Sequence, residues 1–181
     1  MKYITLILLA WLSSYHAGQE TYVCKNAKIS LYSEAPLENI DATSTKATSV
    51  FNATTGELAF QIPIRSFQFE KSLMQEHFNE NYLESDKFPQ ATFKGKIQEQ
   101  VDVKKDGTYP VNVKGILDVH GVKQSRTIKG SIKVNKGSIS MTSEFLVLCK
   151  DHNIEIPQLV FKKIAESIQI KVAATYLSYS K

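Results

Sequence analysis

The sequence predicts an all-β protein, either a sandwich or an up-and-down barrel of about eight antiparallel strands. Apolar and polar residues alternate along most of the chain, which is typical of strands with one buried face. A length of 181 residues and a hydrophobic content of 43% fit one packed domain and exclude a disordered chain. Glycine follows a polar or charged residue at four expected reversals: Thr55-Gly56, Asp106-Gly107, His120-Gly121 and Lys136-Gly137.

The first segment is predicted to lie outside the fold. Lys2 precedes an apolar run over residues 4–12, and small residues including Ala17 follow it. This order is typical of a secretory signal peptide, and the run is too short to span a bilayer, which needs about 20 residues. We therefore expect a signal peptide over residues 1–17 and one domain over residues 18–181, exported to the periplasm or secreted and without a membrane-spanning segment.

Export would place the chain where disulfides persist, and Cys24 and Cys149 are its only two cysteines. Two cysteines allow one disulfide bridge. The alternative is a pair of buried free thiols that act as small hydrophobic side chains, and this is the slightly preferred interpretation.

The alternation predicts the strands in order, beginning with residues 22–32 and 48–53. In the third strand, even-numbered apolar residues from Leu58 to Ile64 share one face. The phase then slips at Arg65-Ser66, because the next apolar residues, Phe67 and Phe69, are odd-numbered, and this slip predicts a β-bulge. Further strands are predicted over residues 91–97, 111–119, 128–134, 139–147 and 168–174.

Two short helices interrupt this pattern. Ser72 is expected to cap the first, with Glu76 supporting its start, and the helix runs to residue 82. Its apolar residues fall on one side of a helix with 3.6 residues per turn: Leu73, Met74, His77, Phe78 and Tyr82. Pro157 is expected to open the second helix, which ends at Ile164.

The inward face of the predicted strands consists of Phe, Ile, Leu and Val residues. An eight-stranded barrel is just wide enough to be filled by its own side chains or to hold one small ligand. A cavity with such a lining would suit an alkyl, isoprenoid or quinone-like tail. From the periodicity alone, a filled core is favoured.

One stretch resembles a known family. Residues 66–78, SFQFEKSLMQEHF, lead into a helix with a His-Phe pair, and KFPQATF over residues 87–93 begins the next strand. Residues 117–123, LDVHGVK, match a hairpin turn of the same family, and residues 150–154 match more weakly. These features are similar to the YceI-like family of exported lipid-binding proteins. The similarity covers the chain from residue 60 onwards, whereas the N-terminal part lacks the family's usual opening.

The resemblance implies a lipocalin-like up-and-down barrel with two short helices, which holds an isoprenoid, isoprenoid quinone or other long apolar lipid without catalysis or a cofactor. It also implies that the first helix lies near the pore. Strand parity combined with this layout predicts the ligand-binding residues: Phe67, Phe69, Leu73, Met74, Phe78, Tyr82, Phe88, Phe93, Leu117, Val119, Phe145 and Val147.

Other functions receive less support from the sequence. The net charge of +4 is small and scattered, which argues against nucleic acid as a partner. His77, His120 and His152 are expected on a helix, a turn and a surface loop, without the spacing of a metal site, and no nucleophile elbow is present. Pairing of two copies through the outer face of the barrel is compatible with the sequence.

Three hypotheses follow, in order of preference. The first is a carrier of an apolar chain. The second is a filled barrel that binds a protein partner, as an interaction or stress-related exported protein, through an exposed patch around Tyr176, Leu177 and Tyr179. The third is a metal-dependent hydrolase, which requires His77, His120 and His152 to converge.

Overall fold

The computed structural model describes residues 20–34, 39–155 and 166–178. The signal peptide expected at residues 1–17 and the helix expected at 157–164 lie outside these residues. The described part contains nine antiparallel strands: β1 (Thr21–Ser33), β2 (Ile40–Asn52), β3 (Glu57–Pro63), β4 (Gln68–Phe69), β5 (Gln90–Ile97), β6 (Gly107–Val119), β7 (Val122–Asn135), β8 (Ser138–Leu148) and β9 (Ser167–Ser178).

Eight of these strands close into a barrel. Their order is β1-β9-β8-β7-β6-β5-β3-β2, and the ring closes because β1 also pairs with β2. The two-residue β4 pairs only with β2 and adds a short ninth strand outside the ring. The predicted antiparallel barrel is therefore confirmed.

The first predicted helix is present but begins differently. Helix α1 (Ser72–His77) continues into a wider π-helical turn at Phe78–Tyr82. Lys71 occupies the cap position without a side-chain cap bond, so the prediction that Ser72 caps the helix is wrong. Within the described residues, no helix is long and apolar enough to cross a membrane.

The phase slip after β3 is produced by a 3-10 turn at Ile64–Ser66, where we predicted a β-bulge. The Ser66 hydroxyl lies 2.5 Å from the Pro63 carbonyl oxygen and 2.6 Å from the Ser44 hydroxyl, which holds the turn against β2. The turn brings the next residue, Phe67, into the core.

Two of the predicted reversals are two-residue hairpins. His120-Gly121 joins β6 to β7, and Lys136-Gly137 joins β7 to β8; all four residues have positive φ angles. These are the turns whose twist matches that of the flanking strands. Asp106-Gly107 is different, because Gly107 begins β6 and the Asp106 carboxylate accepts a bond from the Lys136 amide.

Several large side chains are buried at the end of the barrel opposite α1. Phe51, Val103 and Tyr176 are buried there, and the Tyr176 and Ser49 hydroxyls are 2.6 Å apart. Tyr176 is only 2% exposed, so its predicted place in a surface patch is wrong, although Leu177 is 75% exposed. Tyr179 lies outside the described residues.

Cys24 and Cys149 are both buried and free. Cys24 lies on β1 and Cys149 follows β8, two strands that β9 separates. Of the two states that the sequence allowed, the structure therefore shows the free thiols.

Candidate functional site

A cavity of about 450 Å³ lies inside the barrel and reaches α1 at one end. Inward-facing residues of β1, β3 and β5 to β9 form its walls, and α1 with the following π-helical turn forms one end. This volume is within the usual range of small-molecule sites. The barrel interior is therefore not completely filled, which differs from the filled core that periodicity alone favoured.

The cavity is lined by every predicted ligand-binding residue except Phe88. Phe67, Phe69, Leu73, Met74, Phe78 and Tyr82 lie at the helical end, and Phe93, Leu117, Val119, Phe145 and Val147 lie along the strands. Their position on the cavity wall is a structural observation, and their contact with a ligand stays a prediction.

Phe88 packs against the β6–β7 turn instead. The centroid of its ring is 4.6 Å from that of His120, with the two rings nearly at right angles. A Cβ atom on Gly121 would lie 2.6 Å from the Phe88 ring, so this turn position requires glycine. Phe88 therefore fixes the turn from outside the cavity.

An aromatic cluster holds α1 and the π-helical turn against the barrel. The Phe78 ring centroid is 5.6 Å from that of Phe67 and 4.9 Å from that of Phe69. These separations are typical of favourable aromatic pairs. Leu73, on the first turn of α1, also lines the cavity yet is 60% exposed, so apolar surface continues from the cavity to solvent at this end.

Several lining residues were not among the predicted site residues. They include Ile29 and Leu31 of β1, Val111 and Val113 of β6, and Ile132 and Met141 of β7 and β8. The signal was present for these residues, because each follows the alternation of its strand. The alternation identifies inward-facing residues but does not separate those beside a cavity from those in a filled core.

The few polar lining residues fall into two groups. Ser33, Lys71 and His77 lie at the helical end. The second group lies where β7 meets β8 and consists of Lys129, Ser131, Thr142 and Ser143. Between the two groups the wall is hydrocarbon, which disfavours any ligand that would bury unpaired polar groups there.

The histidines do not converge on a metal site. Among the described residues, no three His, Cys, Asp or Glu side chains are placed to hold a metal ion. His77 lies on α1 as expected and lines the cavity. His152 was expected on a surface loop, but it is fully buried, and its Nδ1 lies 3.0 Å from the Val122 carbonyl oxygen.

His120 lies in the β6–β7 turn as expected, and it links that turn to two neighbouring segments. Its Nδ1 is 3.1 Å from the His152 carbonyl oxygen, and its Nε2 is 3.0 Å from Glu84 Oε2. A hydrogen bond from Lys87, and to a smaller extent one from His120, lowers the pKa of the Glu84 carboxyl group below its ordinary value. This network fixes the turn at the end of the barrel that contains the cavity.

A closed antiparallel barrel with a hydrocarbon-lined cavity defines a class of proteins that bind small apolar ligands. The chain belongs to the YceI-like domain family, because the family model matches residues 25–176. The resemblance noted in the sequence is thus confirmed. No curated protein sequence matches the chain significantly.

Solved structures with the same fold include three bacterial proteins. A polyisoprenoid binding domain from Saccharophagus degradans, implicated in plant cell wall breakdown, has a TM-score of 0.75 at 13% identity and covers 89% of this chain and 99% of its own. BcnA of Burkholderia cenocepacia has a TM-score of 0.70 at 17% identity, covering 82% and 95%. A Campylobacter jejuni YCEI protein has a TM-score of 0.62 at 15% identity, covering 82% and 90%. These similarities show a shared fold.

Proposed function

We propose that this protein is a carrier that binds an apolar chain in its barrel and performs no chemistry on it. The observation that carries this proposal is the hydrocarbon-lined cavity, which continues to the exposed Leu73 at the helical end. The ligand class is a polyisoprenoid, an isoprenoid quinone or a fatty-acid-like lipid. The polyisoprenoid-binding description of the Saccharophagus degradans domain supports this choice.

The energetics of hydrocarbon burial are compatible with a carrier. Each buried methylene group contributes about 0.8 kcal/mol, so about ten carbons offset the lower part of an association cost of about 4–15 kcal/mol. A flexible chain with its apolar tail in the cavity and its polar end near one of the two polar groups would leave no buried polar atom unpaired.

The export of this carrier is part of the proposal. The basic start, apolar run and small-residue exit of residues 1–17 support a cleaved signal peptide. A carrier in the periplasm or outside the cell would shield its ligand from water between membranes. Edman sequencing of protein secreted or released from the periplasm would show a new N-terminus near residue 18.

The filled-barrel alternative has less support. It requires an interior without a continuous void, whereas the barrel contains the cavity. Its proposed surface patch also loses Tyr176, which is buried and bonded to Ser49.

Native mass spectrometry and solvent extraction of the purified protein test the carrier proposal. We expect an adduct that disappears on unfolding, and an isoprenoid, quinone or fatty chain in the extract. Protein stripped of lipid should then bind the fluorescent fatty acid cis-parinaric acid. A protein that carries no lipid and does not bind this probe would contradict the proposal.

Two neighbouring residues of β6 provide a matched pair of variants. Val113 faces the cavity, and Lys114 is exposed on the outer face. Val113→Trp should weaken probe affinity by at least about tenfold because the indole occupies part of the cavity. Lys114→Trp should leave the affinity unchanged, and circular dichroism of both variants should match the wild type. Equal affinities for the two variants would place the probe elsewhere.

A further inference from the structure

The wall of the barrel is interrupted between β7 and β8. Backbone pairing joins these strands from Asn135–Ser138 up to Gly130–Ser143 and then stops. Residues 122–129 of β7 still pair with β6, and residues 144–148 of β8 still pair with β9. Both stretches belong to the described part of the chain, yet they do not pair with each other.

Side chains span this gap in place of a backbone ladder. The Ser143 hydroxyl donates to the Lys129 carbonyl oxygen over 2.6 Å, at the point where the ladder ends. Arg126 donates to the Leu146 carbonyl oxygen over 2.6 Å, and its guanidinium group also lies 3.2 Å from the Asp151 carboxylate. Gln124 donates to the Asp151 carbonyl oxygen over 2.7 Å.

The cavity reaches the outside of the wall at the same place. Lys129 and Thr142 are exposed residues that alternate with the buried Ile128 and Met141, so their side chains face outwards. Both nevertheless line the cavity, together with Gly130 and Ser143. Gly130 and Ser143 are the last backbone pair of the two strands, and Gly130 contributes no side chain to the wall there.

We propose that the cavity opens sideways between β7 and β8, and that the bound chain enters and leaves through this opening, with Arg126 as its latch. This inference rests on the proposed function and adds the route that the ligand takes. Opening the gap breaks a few side-chain bonds and leaves every backbone pair of the barrel intact. At the end of the barrel opposite α1, Phe51, Val103 and Tyr176 are buried and do not line the cavity.

A removable crosslink across the gap tests the proposal. If the register of Gly130 and Ser143 continued, Thr127 would stand opposite Leu146; Thr127 is exposed, and Leu146 is 56% exposed. The double variant Thr127→Cys, Leu146→Cys is made in a background with Cys24→Ala and Cys149→Ala, and a short bis-methanethiosulfonate linker joins the new thiols. Stopped-flow fluorescence then measures the uptake and release of cis-parinaric acid.

The matched control places the same linker across a complete ladder. Lys114 pairs directly with Thr127, so Lys114→Cys, Thr127→Cys shares one cysteine with the test variant. We expect the linker across the gap to slow uptake and release by at least about tenfold, as for a closed lid, with an unchanged dissociation constant. Dithiothreitol should restore both rates, and the control linker should alter neither.

Equal exchange rates with and without the linker across the gap would overturn the side opening and leave the helical end as the route, while the carrier function would stand. A wild-type protein that never binds the probe would overturn the carrier function itself, and the side opening with it. The two failures are therefore distinguishable in one set of measurements.

Removing the latch provides a second measurement that does not depend on crosslinking. Arg126→Gln should accelerate uptake and release together, because the bonds to Leu146 and Asp151 are weakened. Arg65→Gln is the control, because Arg65 pairs with Asp86 away from the gap. Wild-type exchange rates in Arg126→Gln would also overturn the proposal.

Discussion

At the scale of single residues, Tyr176 is buried at the end of the barrel opposite α1. Its hydroxyl group is buried with that of Ser49, and burial raises the pKa of its phenol above the ordinary value. Phe51 packs against its ring with centroids 6.3 Å apart. The pair thus combines a hydrophobic contact with a satisfied polar group at the end of the barrel opposite α1.

Tyr176→Phe should lower the free energy of unfolding by about 1 kcal/mol, because the Ser49 hydroxyl loses a buried partner. Tyr109→Phe is the control, since the Tyr109 hydroxyl donates to the Lys105 carbonyl oxygen at an exposed position. Urea unfolding measures both variants. A smaller loss in Tyr176→Phe than in Tyr109→Phe would contradict this account, and probe binding should be unchanged in either variant.

The lowered pKa of Glu84 predicts that the stability of the fold depends on pH. Hydrogen bonds lower the pKa of the Glu84 carboxyl group in the folded state, chiefly the bond from Lys87 and next the one from His120. The ionised carboxylate therefore stabilises the fold fully when the pH is above 4.5, the ordinary pKa. That contribution is lost as the pH falls through the lowered pKa. Glu84→Gln should therefore be less stable than wild type at neutral pH, and the difference should shrink below pH 4.5.

Thermal unfolding over a range of pH measures this difference. Glu80→Gln, which changes an exposed carboxylate of the neighbouring π-helical turn, is the control and should follow the wild-type profile. A constant difference between Glu84→Gln and wild type at all pH values would show that the ionised carboxylate does not stabilise the fold.

At the scale of elements, a comparison of the two glycine hairpins distinguishes the effect of backbone strain from that of steric contact. Gly121 and Gly137 have nearly the same φ angle, 73° and 77°. A Cβ atom on Gly121 would contact Phe88, whereas one on Gly137 would have nothing within 4 Å. The same substitution in these two turns therefore differs chiefly in its surroundings.

Gly137→Ala should cost about 1–2 kcal/mol, the usual penalty of a left-handed conformation with a side chain. Gly121→Ala should cost more, because Phe88 must also move away from its packing against His120. Chemical denaturation measures both variants, and Gly121→Ala, Phe88→Ala shows whether the excess comes from the ring. Equal costs in the two single variants would contradict the steric role of Phe88.

Strand β2 shows where element prediction failed. The alternation predicted residues 48–53, but the strand begins at Ile40. Its inward residues in the first half are small or polar, including Ala42, Ser44 and Ala47, so the apolar signal is weak there. All three are nonetheless buried, because they face the interior of the closed barrel beside the buried Ala27, Ile29 and Leu31 of β1.

At the scale of the whole molecule, ligand binding should stabilise the barrel by mass action. A free ligand concentration one hundred times the dissociation constant contributes about 2.7 kcal/mol, which raises the melting temperature by about 5–10 °C for a domain of this size. Differential scanning fluorimetry with cis-parinaric acid measures the shift. Val113→Trp should show at most about half of this shift, because a tenfold loss of affinity leaves about 1.4 kcal/mol at the same ligand concentration, and Lys114→Trp should show the full shift. A shift that is the same in both would contradict binding in the cavity.

Local sequence patterns were sufficient to predict the strand parity, the hairpins at His120-Gly121 and Lys136-Gly137, and the family, because alternation, turn chemistry and motif are local properties. Continuing the alternation of β9 by two residues beyond Ala174 would also have predicted that Tyr176 faces the barrel interior. The tertiary structure decided which inward residues meet and which leave a void, since this depends on closure across the barrel. It also decided the burial of His152 and the end of the β7–β8 ladder, because distant segments supply the partners of both.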